Sequence, residues 1–468
     1  MNRVVSIFCA FILLLAAAGC VPDRVVWAPD GSRAAVLGDD GLHLCDPDGK
    51  ISPMLAAKAS AVQWMPDGNG LVVEQEVEMT SWKEIQEAFP DETQRFVDSK
   101  RSDAVGKELL AFDGDWSNLV GPLEQKLSMN DQELKWSLIY LRDHDAAALK
   151  QQLGDRWDAV ASVTFPARSV RGYQVSGETA TAGPVLRYLN HEGLQALRLS
   201  PDGRAVAITW TDEKGERANL TVVATDGSGR VSEFGPAAMY PDWSADGKYL
   251  VYVRPNGVPE KGGNVYFGTL SRRQVFDADG KLLDASNAPP AEDLAGLLFD
   301  TNLRVRVAKD GRIFFVGAEV TLPATAADVE PKAQLFSIDP GRQATVTRMV
   351  PRSDVGKIGD APQFFELSPD ARHASVPFND GRVSVVDLAT GRVEMVQSTP
   401  IGDDDKMHLS SVPTWRSANE LTFVRPGSEV PEVVRYSLAD KSVVVMSKEW
   451  PKEVAKDWLS RKEATTQP

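Results

Sequence analysis

Cysteine and histidine are both scarce in this chain of 468 residues, with three of the first and five of the second. The cysteines are Cys9, Cys20 and Cys45. The first two belong to an N-terminal leader and its end, so Cys45 has no partner and the mature chain has no intramolecular disulfide. Cys45 closes an apolar run, Leu42-His43-Leu44-Cys45, and reads as a buried core thiol and not a reactive one. The histidines, at 43, 144, 191, 373 and 408, form no His-Glu-x-x-His zinc pair. There is no Gly-x-Ser-x-Gly elbow, phosphate loop or dinucleotide fingerprint. Basic residues never run longer than a pair such as Arg272-Arg273. With a formal net charge of −15, this disfavours nucleic acid and anionic lipid headgroups as partners. No catalytic residue, metal ligand or cofactor is assigned from the sequence.

The N-terminus carries an address. Arg3 supplies a positive start, and Val4 to Ala18 is apolar except for Ser6. The stretch is short for a membrane span and ends in small residues, as a secretory leader does. Its end, Leu15-Ala16-Ala17-Ala18-Gly19-Cys20, resembles a bacterial lipobox, with Ala17 where leucine is commoner. That resemblance implies residues 1–19 as a lipoprotein signal peptide and Cys20 as the lipidated first residue of an exported protein. Several acyl chains on one residue make a stable anchor. Val21 follows, not the aspartate that often retains lipoproteins at the inner membrane. The expected location is therefore the cell envelope, at the outer membrane and facing the periplasm.

The 449 residues after the leader are organised by a recurring turn. It reads Trp27-Ala28-Pro29-Asp30-Gly31, then Trp64-Met65-Pro66-Asp67-Gly68, then Leu199-Ser200-Pro201-Asp202-Gly203. Variants follow at Trp243 to Gly247, Val307 to Gly311 and Leu367 to Ala371, and a degenerate copy at Trp415 to Asn419. Each precedes a β-rich run, and a second Asp- and Gly-rich turn recurs later in each unit, as at Asp226 to Gly229. Asp bonds back to nearby backbone and Gly accepts positive φ, so both suit such turns. A repeated four-strand unit, A to D, means an array, here a β-propeller. The Trp-x-Pro-Asp-Gly turn with its apolar strand resembles the repeat of TolB-type propellers, also found in propeller domains of prolyl oligopeptidase relatives. The resemblance covers nearly all of the chain outside residues 79 to 160 and speaks to fold, not activity. Seven copies of the first turn can be counted, so an all-β protein of seven four-stranded blades is expected, or six if the last copy only completes the first blade. The repeats and insertion leave no space among these residues for the hydrolase domain of the peptidase relatives. Trp27, Trp64, Trp243 and Trp415 are expected to pack between blades. The pairs Asp46/Asp48 and Asp277/Asp279 lack the pattern of a calcium loop and read as turns.

Residues 79 to 160 break the rhythm with helical signals, so the propeller is expected over 20–78 and 161–447. Ser81-Trp82-Lys83-Glu84 has capping-box form, with Trp82, Ile85 and Phe89 at helical spacing. A second helix opens at Asn130, with Leu134, Leu138 and Leu141 on one side, and Asp145 is expected to cap a third over 146–153. Ser169 to Val175 and Pro184 to Leu189 then read as strands C and D of blade two. The insertion holds sixteen acidic and ten basic side chains, mostly a solvated helix surface. In a propeller the A–B and C–D turns share one face, and the B–C and D–A loops share the other. Taking 284 to 301 as a D–A loop, all the irregular sequence gathers on the second face, with a helical cap over or beside the channel mouth. Long loops in compact folds commonly carry function. The tail, 448–468, is expected to hold a short helix over 449–462. Candidate contacts with an envelope protein are Trp82, Trp116 and Trp136 in the insertion, since aromatics dominate interfaces. Asp403, Asp404 and His408 form the densest polar cluster of the loop face. The sequence thus reads as a non-enzymatic interaction scaffold. The alternative is an enzyme or a binder of glycan or peptide, with carboxylates drawn from several blades to the channel mouth.

Overall fold

A computed structural model describes residues 23–189, 194–211, 218–236, 238–256, 265–284, 286–300, 304–317, 334–341, 346–358, 364–378, 380–398, 411–425, 427, 431–455 and 458. Its strands form seven four-stranded antiparallel sheets, each built from strands consecutive in the chain. Blade 1 is β1 (Val25–Trp27), β2 (Ala34–Leu37), β3 (Gly41–Cys45) and β4 (Ala56–Ala57). Blade 2 is β5 (Ala59–Trp64), β6 (Gly70–Met79), β7 (Phe165–Ser176) and β8 (Thr179–Leu189). Blade 3 is β9 (Leu194–Leu199), β10 (Ala205–Thr211), β11 (Ala218–Ala224) and β12 (Val231–Pro236). Blade 4 is β13 (Met239–Trp243), β14 (Tyr249–Pro255), β15 (Val265–Gln274) and β16 (Glu292–Asp300). Blade 5 is β17 (Val305–Val307), β18 (Ile313–Gly317), β19 (Gln334–Ile338) and β20 (Val346–Arg348). Blade 6 is β21 (Glu366–Leu367), β22 (His373–Pro377), β23 (Val383–Asp387) and β24 (Val393–Gln397). Blade 7 is β25 (Thr414–Trp415), β26 (Glu420–Arg425), β27 (Glu432–Ser437) and β28 (Val443–Val445). This is a seven-bladed β-propeller with a helical insertion in blade 2. The degenerate repeat at Trp415 opens a complete seventh blade and does not finish the first.

The turns form as their chemistry dictates. Oδ1 of Asp30, Asp67, Asp202, Asp246, Asp310 and Asp370 each accepts the backbone N–H two residues on, at 2.9 to 3.2 Å. The glycine after the aspartate takes φ between 68° and 88° in five copies, and Ala371 is held at 53° in the sixth. A Cβ on Gly31 would stand 2.8 Å from the carbonyl oxygen of Arg416 in blade 7, whereas one on Gly68 would meet nothing within 4 Å.

The core lies in the wedges between blades. In blade 1 the second and third strands are buried on both faces: Ala34–Leu37 and Gly41–Cys45 show no exposed residue. Outer strands carry the exposed apolar residues Val346, Met395, Val443 and Val444. Trp27, Trp64, Trp243 and Trp415 are each 7 % exposed or less. Three of them hand the indole N–H to the innermost strand of the preceding blade. Trp64 bonds the Val26 carbonyl at 2.8 Å, Trp243 that of Arg198 at 2.9 Å and Trp415 that of Glu366 at 3.0 Å. These tryptophans are inter-blade wedges whose one polar group is also satisfied.

Blade 4 departs from the expected layout. A small loop at Asp277 to Gly280, closed by a Phe276–Leu282 bridge, imitates a C–D turn. The fourth strand is β16, which occupies much of the stretch read from sequence as irregular. Residues 275–284 and 286–291 therefore belong to the turn face, and the irregular sequence does not all gather on the other. The excursion has a packing reason: Phe276 is buried in the wedge of blades 3 and 4, stacked on Trp243 at 6.1 Å.

The chain divides into two compact units. The second comprises Glu76–Ser169 with Arg187–Asn190. Its helices are α1 (Trp82–Ala88), α2 (Pro90–Asp98), α3 (Arg101–Leu110), α4 (Val120–Leu127), α5 (Asp131–His144), α6 (Ala146–Leu153) and α7 (Trp157–Ala161). Ser81 and Glu84 form a reciprocal capping box on α1, and Asn130 caps α5 at 2.7 Å. Asp145 precedes α6 but makes no side-chain cap, because its φ of −117° and ψ of 24° are not those of an extended N-cap. Arg142 on α5 gathers the ends of the insertion, donating to the carbonyls of Thr80, Ala161 and Val163. The hairpin β7–β8 is longer than the sequence suggests, and the tail shows one short helix, α8 (Lys452–Ala455). None of the described helices is long and apolar enough to cross a membrane.

Candidate functional site

Each innermost strand presents alternate residues to the propeller axis. One position before the repeat motif stand Val26, Gln63, Arg198, Asp242, Arg306, Glu366 and Thr414. Blades 3 to 6 thus place charges of alternating sign, +, −, +, −, at one register. Arg304 lies two residues before Arg306 and so on the same side of β17, while Val305 between them is buried in the apolar wedge. Asp23, just before β1, completes the set.

These groups interlock. The Arg306 guanidinium forks onto Glu366, with Nε 2.8 Å from Oε1 and Nη2 2.7 Å from Oε2, and Nη1 donates to the Val305 carbonyl. Arg304 bridges two carboxylates, Nη1 to Glu366 at 2.9 Å and Nη2 to Asp23 at 3.0 Å. Arg198 stands 3.5 Å from the other oxygen of Asp23. Asp242 accepts the Val307 backbone N–H at 2.7 Å. Among the ion-paired members no side chain is more than 21 % exposed.

The electrostatics follow from burial set against charge. Burial alone would raise the Asp23 carboxyl, yet Arg304, Arg198 and Arg306 hold it well below the usual carboxylate range. Glu366 behaves alike: burial opposes ionisation, and Arg306 and Arg304 overcome it. At Asp242 burial prevails over Arg306, Arg198 and the Val307 amide, so its carboxyl is pushed up. Three guanidiniums face three carboxylates, and fork geometry of this kind gives the strong, orienting form of ion pair. The arrangement locks blades 1, 5 and 6 to one another and draws in blades 3 and 4.

Sequence reasoning named none of these residues, although the signal was present in the single column before each motif copy. Of the residues it did name, Trp82 and Trp136 are core residues of the helical unit, 5 % and 2 % exposed. They lie in an aromatic cluster with Phe89, Phe96 and Tyr140, with ring centroids 5.1 to 6.1 Å apart. Trp116 is different: half-buried, it packs edge-on to Phe112 and lies under the Arg156 guanidinium at 5.5 Å. It lines a cleft of about 650 Å³ within the helical unit, shared with Glu78, Lys135, Asp155, Arg156 and Thr164. Cys20, Asp403, Asp404 and His408 lie outside the described residues. Cys45 is buried and free, and burial followed by the Asp46 charge pushes its thiol up to about 12. Among the described residues, no three His, Cys, Asp or Glu side chains could together hold a metal ion.

No family model matches the chain. No curated protein matches it either. Solved structures do. TolB from Acinetobacter baumannii is 14 % identical over 59 % of this chain and 58 % of its own, with a TM-score of 0.38. An oligogalacturonate lyase in complex with manganese is 10 % identical over 90 % of both chains, with a TM-score of 0.48. Prolyl oligopeptidase B from Galerina marginata is 10 % identical over 94 % of this chain and 53 % of its own, with a TM-score of 0.45.

Proposed function

We propose that this protein is an exported lipoprotein, anchored through Cys20 at the outer membrane and facing the periplasm. Its propeller is a non-enzymatic scaffold, and its helical insertion docks another envelope protein. The observation that carries the scaffold reading is the charged hub. The carboxylates of Asp23 and Glu366 are spent on the protein's own guanidiniums, and the Asp242 carboxylate on a backbone amide. Groups so engaged hold blades in place; they are not poised to transfer protons to a substrate. The lipobox-like end of the leader supports the anchor, and Val21 supports the outer membrane. The test is affinity recovery, after crosslinking, of the full-length protein from its own envelope, beside a version lacking residues 79 to 160. One defined partner, captured by the first and lost by the second, is the expected result. Equal recovery by both would overturn the docking role of the insertion.

One observation favours a second reading, as a binder of glycan or peptide. The cleft beside Trp116 sets an aromatic face among Glu78, Asp155, Arg156 and Thr164, which is the mixture such ligands need. Tryptophan fluorescence shifts on titration with oligosaccharides or peptides, lost in Trp116→Ala, would favour it over docking.

A further inference from the structure

We propose that the wedge between blades 6 and 7 binds a small zwitterion, an α-amino acid with a short apolar side chain. The site is a cavity of about 260 Å³ at the Asp-Gly turn end of the two blades. It requires neither the lipid anchor nor the helical insertion. Its polar lining is His373, Asp387, Arg392, Glu394, Asn419 and Lys441. His373 opens β22 and pairs with Asp387, the last residue of β23. Val385, two residues before Asp387, lies opposite Glu394 on β24, and Arg392 stands two residues before Glu394. All five therefore share one face of blade 6. Blade 7 supplies the facing wall from its two turns. Asn419 ends the first, and Leu438, Ala439 and Lys441 belong to the second. The Leu438 amide fastens them together by donating to the Asn419 carbonyl at 2.8 Å. The turns that frame the cavity, 368–372, 387–391, 416–419 and 438–442, all lie among the described residues.

The ligand class follows from which groups are already engaged. The His373 ring stacks on Trp415, with centroids 5.9 Å apart. Its Nδ1 is shielded from solvent yet makes no hydrogen bond among the described residues, a costly state for a buried polar atom. Arg392 and Asn419 are hydrogen-bonded through their backbone alone, so among the described residues the guanidinium and the amide are uncommitted. A ligand carboxylate accepts from both and gives the imidazole the partner it lacks. The two acidic residues are half committed. Oδ1 of Asp387 accepts from Ala389 and Thr390 at 2.8 to 3.0 Å, and Oε1 of Glu394 from Lys441 at 2.6 Å. Oδ2 and Oε2 accept nothing among the described residues, and an ammonium group is the donor that suits them. With His373 neutral, Arg392 and Lys441 balance Asp387 and Glu394. A balanced cavity of both signs favours a ligand that carries both over an anion or a cation alone. Val385, Leu438 and Ala439 form the apolar wall. At about 30 Å³ per water, 260 Å³ takes about nine waters, and so a ligand of about nine heavy atoms, the size of leucine.

The experiment is a ligand-observed NMR titration of the full chain with L-leucine, isocaproate and L-leucinamide. Isocaproate is leucine without the ammonium, and leucinamide is leucine without the carboxylate. A dissociation constant of about 1 mM or below is expected for leucine. Each analogue should bind at least about tenfold more weakly, because it leaves site groups unpaired. Arg392 is exposed and its side chain has no partner to lose, so Arg392→Gln should weaken leucine at least about tenfold without touching the fold. Arg372→Gln removes an equal charge from the neighbouring turn, outside the cavity, and should leave binding within about twofold. Glu394→Gln should weaken leucine and not isocaproate. No saturable leucine binding up to about 10 mM overturns the site. Leucine binding that Arg392→Gln leaves unchanged lies elsewhere and overturns it too. Equal binding of leucine and isocaproate overturns the zwitterion as the ligand class.

Discussion

Replacing Glu366 by glutamine tests whether the hub holds the propeller together. The carboxylate takes one hydrogen bond from Arg304 and a two-pronged fork from Arg306, at 2.7 to 2.9 Å. Glutamine keeps the shape but loses the charge, and its amide nitrogen would face guanidinium donors. Breaking one partner of a buried pair strands the other charge and costs about 3–5 kcal/mol. With Glu366 21 % exposed, the lower end applies, about 3 kcal/mol. Asp242→Asn is the contrast. Burial already raises that carboxyl, and asparagine retains an acceptor for the Val307 amide, so the change should stay within about 1 kcal/mol. Urea unfolding at pH 7, followed by circular dichroism, reads both. The pH dependence has a definite sign. Asp23 and Glu366 have folded pKa values below their ordinary 3.8 and 4.5. Their stabilisation is complete above those values and is lost as pH falls below them toward the depressed ones. Asp242, raised, runs the other way and gives up stability as pH climbs through its folded value. Glu366→Gln should therefore show a shallower acid loss below about pH 4.5 than the unmodified protein. A Glu366→Gln protein within 1 kcal/mol of the original at pH 7, with an unchanged acid slope, would refute the reasoning.

Three further outcomes are expected. Gly31→Ala should destabilise by well over the ~1 kcal/mol that a left-handed alanine costs by itself, because its Cβ meets the Arg416 carbonyl; Gly68→Ala should cost only about that ~1 kcal/mol, by urea titration. Trp458, 1 % exposed in the wedge of blades 7 and 1, should cost about 3–5 kcal/mol as alanine, and limited proteolysis should then cut first in blade 1 or 7. Cys45 should resist maleimide at pH 8 in the folded protein and react in urea, since its thiol lies near 12; rapid native labelling would refute its burial.

What the sequence made legible was whatever is local and repeated. The turn at Trp27 to Gly31 and its copies announce the blades because each is set by a few neighbouring residues. The capping box at Ser81 is legible for the same reason. Blade 4 misleads by that very logic. Asp277 to Gly280 has all the local marks of a C–D turn, and only the burial of Phe276 against Trp243 shows that the strand comes later. Trp82, Trp116 and Trp136 look alike in sequence, yet two are core and one lines a cleft, because helix faces are sorted by partners far along the chain. The hub is the extreme case. Asp23 and Arg304 are 281 residues apart, and Arg306 and Glu366 sixty. What sequence did offer was the column one place before each motif copy. Reading the repeats as an alignment with one another, and not one by one, would have exposed its alternating charge.

Seven complete blades leave a ring with a problem to solve. Among the described residues no sheet mixes strands from the two ends of the chain, and blades 1 and 7 share no strand ladder there. Side chains close the seam instead. The Trp27 indole reaches Thr422 at 2.8 Å, Thr414 the Val25 carbonyl at 2.6 Å and Arg416 the Gly31 carbonyl at 2.9 Å. Outside, the tail lays Trp450 on the Gly49 carbonyl at 2.8 Å and buries Val454 and Trp458 beside Val25 and Val36. Inside, Asp23 fastens the start of blade 1 to blade 5 across the axis. A strand ladder is cooperative, and its closure is lost in one step. A seam of separate contacts loses each on its own, and two of its fasteners, Asp23 and Trp458, are the first and last of the described residues. The buried charge of the hub follows from this. An apolar plug would hold the axis, but it would not distinguish blade 5 from its neighbours as the partner of Asp23. Alternating charges at one register make only one seating of the N-terminal segment fully paired, and they fix which blades face one another when the ring closes.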